Sequence, residues 1–96
     1  MDLNKTFEKF SKEYLQFKNV TVTNKLHPRP DVCAFLLLDK LCPGEEDMVS
    51  SAEHDEIWLN VDCEKLAEVA TEDGILMLVR CGVRYDEETG SLAMFV

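Results

Sequence analysis

The chain has 96 residues, enough for one domain spanning 1–96 with a single modest core and too few for two. A hydrophobic fraction of 46% argues against a disordered polymer, while the longest apolar run, Val32 to Leu38, falls far short of a membrane span. The net charge of −9 repels nucleic-acid phosphates and anionic lipid at long range, which disfavours direct DNA, RNA or membrane binding and permits a basic protein partner.

Leu3, Phe7, Phe10, Tyr14 and Phe17 recur at spacings of four and three, predicting one amphipathic helix from an Asp2 N-cap to Lys18. Four of these five residues are aromatic. Phe7, Phe10, Tyr14 and Phe17 are therefore either core packing or a self-association face, and the second option predicts a homodimer. Val-Thr-Val-Thr within Asn19–Asn24 is a short β-type segment or an extended connection. His27-Pro28-Arg29-Pro30 interrupts the chain, because proline pushes its predecessor out of the helical region. Asp31 then caps a second helix through Leu41, which Cys42-Pro43-Gly44 stops. With Val32, Phe35, Leu36, Leu37, Leu38 and Leu41 around it, this helix is expected at the buried centre of the fold.

Glu45-Glu46-Asp47 opens an acidic loop that Glu53-His54-Asp55-Glu56 closes. Glu56 to Asp62 reads as a strand with Ile57, Leu59 and Val61 on one face and Glu56, Trp58 and Asn60 on the other. Asp62 caps a short helix carrying Leu66, Ala67, Val69 and Ala70. Thr71 caps another carrying Ile75, Leu76, Leu78 and Val79, with Glu72 and Asp73 complementing its positive end. Gly82 falls just past the last turn, where a left-handed C-cap favours glycine. Val83-Arg84-Tyr85 and Leu92–Val96 flank Asp86–Gly90 as a hairpin. The expected fold class is α+β: a three-stranded antiparallel sheet, made of the central strand and the C-terminal hairpin, packed with about four helices.

The chain carries no phosphate-binding loop, no dinucleotide-binding glycine pattern, no His-Glu-x-x-His and no nucleophile elbow. Cys33, Cys42, Cys63 and Cys81 have no close pair such as a zinc ribbon needs, and their neighbours are apolar, so reduced, buried thiols are expected. His54 beside Asp55 and Glu56 is the one histidine–carboxylate cluster, and acid–base or metal chemistry there needs a further partner brought in by folding. The short helices between Asp62 and Cys81 resemble a helix-turn-helix only in layout, since the second begins with two acids and offers Arg80 alone to a phosphate. The expectation is a non-enzymatic protein without metal or cofactor. With no apolar leader at the N-terminus, the expected location is the cytoplasm.

Charge is unevenly distributed. Residues 1–30 hold five lysines and Arg29 against three acids, whereas residues 31–96 hold sixteen acids against four basic residues. Glu45, Glu46, Asp47, Glu53, Asp55, Glu56, Asp86, Glu87 and Glu88 are the candidate partner-binding acids, the alternative being plain solvation. Trp58 joins them because it points away from Ile57, Leu59 and Val61. It either lies beneath the first helix or anchors an interface.

The stretch from Asp55-Glu56-Ile57-Trp58-Leu59-Asn60-Val61-Asp62, through Arg80-Cys81-Gly82-Val83-Arg84-Tyr85-Asp86-Glu87-Glu88, to Ser91-Leu92-Ala93-Met94-Phe95-Val96 resembles small uncharacterised proteins encoded by bacteriophages. The resemblance covers under half the chain and carries no catalytic signature. It implies an accessory phage protein acting in the host cytoplasm, a class that includes inhibitors of host defence such as anti-CRISPR proteins. On that implication the chain binds a basic host protein and competes with nucleic acid by mimicry. The alternative is a structural or self-assembling accessory protein without inhibitory activity.

Overall fold

The computed structural model describes residues 1–96. Helix α1 spans Leu3–Lys9, and the Asp2 carboxylate accepts from the Lys5 amide at its start. The single helix expected through Lys18 is not formed. After Phe10 the chain makes two 3₁₀ turns, Ser11–Glu13 and Phe17–Asn19, and Leu15 between them takes φ +63°. A straight helix through Lys18 would run about 25 Å, nearly the 26–30 Å extent of the whole molecule. Breaking it lets the segment wrap the core instead. Leu15 N donates to Val79 O, while Arg80 pairs with Glu13 at 2.8 Å and donates to Asn19 O. The Val-Thr-Val-Thr segment is not a strand but a hydrogen-bonded turn, with Asn24 N and Lys25 N both donating to Thr21 O.

Helix α2 runs Pro30–Leu41, with the proline in the first turn where a missing N–H costs nothing. It buries Cys33, Ala34, Leu37 and Leu38 but leaves Leu36 at 43% exposure, so it is not the centre of the fold as expected. Helix α4, Glu72–Arg80, takes that place. It buries Ile75, Met77, Leu78 and Val79 and touches α1, α2 and both 3₁₀ turns. Helix α3, Cys63–Val69, precedes it. Asp62 accepts from the Glu64 and Lys65 amides, and Thr71 Oγ1 accepts from Gly74 N, so each helix starts on its own side-chain cap. At the end of α4, Gly82 N donates to Val79 O and Val83 N to Leu78 O with Gly82 at φ +98°, the paired bonds of a Schellman motif.

The sheet is antiparallel and has four strands rather than three: β1 Val49–Glu53, β2 Glu56–Leu59, β3 Arg84–Asp86 and β4 Ser91–Phe95, in the order β1-β2-β4-β3. Strand β1 lies inside the stretch read as an acidic loop, and every residue of it is exposed. The central strand ends at Leu59, three residues earlier than expected, where Asn60 N turns to Met48 O. Leu59, Leu92 and Met94 line the helix-side face of the sheet and join an 18-residue core with α1, α2, α3 and α4. The opposite face carries Glu56, Trp58, Arg84, Asp86, Ala93 and Phe95, whose positions follow from the pairings Trp58↔Ala93 and Arg84↔Ala93.

Candidate partner-binding surface

On that second face, side chains from three strands meet across β4. Trp58 on β2 and Asp86 on β3 stand two strand spacings apart, about 9–10 Å. The indole spans the gap over the small Ala93 and Ser91, and its Nε1 donates to Asp86 Oδ2 at 2.8 Å. Ala93 is 0% exposed although it stands on the side away from the helices. Asp86 also accepts from Thr89 Oγ1 and from Glu88 N. The indole bond above all, and the Thr89 hydroxyl after it, hold its carboxyl below the usual carboxylate range.

One step along the strands, Arg84 pairs with Glu56, and its guanidinium lies 4.4 Å from the centre of the Phe95 ring. Arg84 Nε is shielded from water and has no hydrogen-bond partner. Phe95 is 56% exposed and Val96 67%, and exposed Leu15 lies beside them along one shallow depression with Gly82 and Met94. Tyr14 stands near Arg84. Burial pushes its hydroxyl up, against the opposing pull of the arginine.

The candidate acids take different places around this face. Glu53, the last residue of β1, and Asp55, in the turn to β2, are both exposed, and His54 between them has φ +40°. That turn is at the end of the sheet where Glu56 pairs with Phe95. Asp86 pairs with Ser91 at the other end, and exposed Glu87 and Glu88 follow in the turn there. Glu46 lies at that same end, because Asn60 Nδ2 donates to it, and Glu45 and Asp47 flank it. Glu56 and Asp86 are engaged by Arg84 and Trp58, so the outward charge comes from Glu45, Glu46, Asp47, Glu53, Asp55, Glu87 and Glu88. Trp58 is half-buried on the open face and does not lie under the first helix.

The aromatic stripe is divided. Phe7 is 6% exposed within the core, and Phe10, Tyr14 and Phe17 pack against that core partly buried, so they supply no continuous exposed helix face. The cysteines are all free: Cys33, Cys42 and Cys81 are buried and Cys63 is half-buried. Arg84, at the centre of the sheet-face contacts, is the residue of that face that the sequence does not single out. The available signal was a lone cation on a strand otherwise followed by acids. No three His, Cys, Asp or Glu side chains converge as metal ligands would, and no helix is long and apolar enough to cross a membrane. Comparison with family models, with curated proteins and with solved structures finds no match.

Proposed function

We propose that this chain is a small acidic protein-binding module that engages a basic partner through the open sheet face, as a phage-encoded inhibitor of a host defence or nucleic-acid-binding protein would. The observation that carries the reading is the layout of that face. Exposed carboxylates flank both of its ends, and between them lie a half-buried tryptophan and an exposed phenylalanine. An aromatic anchor ringed by charge of one sign is how an interface combines affinity with steering. The carboxylates stand in for phosphates, and the excess of −9 draws a cationic channel towards them at long range.

The test is association with a basic, nucleic-acid-binding host protein over a salt series. Binding is expected to weaken steeply as ionic strength rises, because exposed charges are screened beyond about 8 Å at physiological salt. Reversing Glu45, Glu46 and Asp47 to lysine, or separately Glu87 and Glu88, is expected to slow association while the fold survives. Asp86 is left intact because it holds Trp58. An affinity indifferent to salt and to both reversals would defeat the mimicry reading and leave the face without a charge-based role.

A further inference from the structure

A groove of about 460 Å³ runs between α1 and β3, beside the open sheet face. Its floor is the buried pair Val79 and Val83, and aromatic rings stand on its sides: Phe7 and Tyr14 from the first twenty residues, Tyr85 and Phe95 from the sheet. Phe7 and Tyr85 are 6.3 Å apart between ring centres, tilted by 35°. Glu8 on α1 and Glu87 after β3 are both exposed at its rim, and Asn4 Nδ2 donates to Glu87 Oε1 at 2.8 Å, which fixes that carboxylate's position. Arg84 is the one cation among the lining residues, and Glu56 neutralises it. The groove therefore combines rings with two carboxylates that make no ion pair of their own.

That combination selects a particular occupant. An aromatic face attracts a cation within about 6 Å of its centre, and a long cationic side chain can lay its methylene stem on apolar surface while its head meets carboxylates. Arg84 on Phe95 already shows the first of these contacts within the chain. We propose that the groove receives a lysine or arginine side chain of the basic partner, with the stem against Phe7, Tyr14, Tyr85 and Phe95 and the charge between Glu8 and Glu87. This rests on the reading of the chain as a binder of basic protein and adds the place where one cationic residue is held rather than merely attracted.

The probe is a capped peptide repeating Lys-Gly-Ser four times, titrated into isotopically labelled protein, with norleucine replacing lysine in the control. The proposal expects amide shifts centred on Asn4, Glu8, Ser11, Tyr85 and Glu87, absent with the norleucine peptide. It also expects affinity to fall about tenfold in the double variant Glu8→Gln, Glu87→Gln. Both substitutions are at exposed positions and keep a hydrogen-bond acceptor, and an unchanged melting curve confirms the fold. Shifts centred on Glu45–Asp47 or Glu53–Asp55, with the double variant binding as wild type does, overturn the groove and leave the acidic-face reading standing. Equal binding of the norleucine peptide overturns the cationic occupant. Failure of the lysine peptide and of a basic nucleic-acid-binding protein alike defeats both readings.

Discussion

Replacing Gly82 by alanine tests the joint between α4 and β3, on which the position of Arg84 depends. At φ +98° an L-residue sits outside its comfortable wells, a cost of about 1–2 kcal/mol. The new Cβ would also meet Leu15 Cδ2 at 2.8 Å, too close to be tolerated without movement. Leu15 is 58% exposed, so its side chain can swing outward and the contact adds only a fraction of a kcal/mol. The expected loss is about 2 kcal/mol, which in a domain of this size lowers Tm by about 8–16 °C. Circular dichroism melts of Gly82→Ala, alone and with Leu15→Gly, read it directly. If backbone conformation dominates, most of the loss persists when Leu15 is removed; if the contact dominates, most of it vanishes. A Gly82→Ala melt within about 2 °C of wild type would refute the Schellman argument itself.

Trp58→Phe removes the bond that most lowers the Asp86 carboxyl, so its pKa, followed by NMR, is expected to rise towards the ordinary carboxylate range. Because the folded-state value is depressed, its contribution is present above the unfolded pKa and is lost as pH falls through the folded one. Wild type and variant should accordingly differ more at pH 7 than at pH 2. Ala93→Leu is expected to lift the indole from Asp86, shift Trp58 emission to longer wavelength and cost about 1–3 kcal/mol by overpacking; unchanged emission would show that the indole does not rest there. With a thiol reagent at pH 8, Cys63 is expected to react first and Cys81 only on unfolding, since burial and the neighbouring Cys33 push the Cys81 thiol up to about 12. A Cys81 as fast as Cys63 would contradict that ordering.

What the sequence made legible was local chemistry. Asp62, Thr71, Gly82 and Gly90 mark their caps and turn without tertiary help, because each acts within four residues of itself. The first helix misled because a 3₁₀ turn also repeats at about three residues, so aromatic spacing survives where the α-helix stops. Strand β1 gave no signal: Val-Ser-Ser-Ala-Glu has no buried face to alternate, and its pairing with β2 uses backbone groups that every residue carries. For the open sheet face, the outward direction of Trp58 was legible from its strand. Its partner was not, because 28 residues separate it from Asp86 and only the insertion of β4 between their strands brings them within reach.

That insertion also bears on how the molecule is made. The fourth strand in chain order lies between the second and third, so the β2 edge of the β1–β2 hairpin stays unpaired until β4 arrives. Such an edge invites pairing with other chains, and closing a gap of more than thirty residues is slow compared with forming a local hairpin. The acidic turn at Glu53–Glu56 stands at the end of that waiting hairpin. Mutual repulsion between copies there would keep nascent chains apart during the interval. Charge at that turn would thus bear on folding as well as on the finished surface.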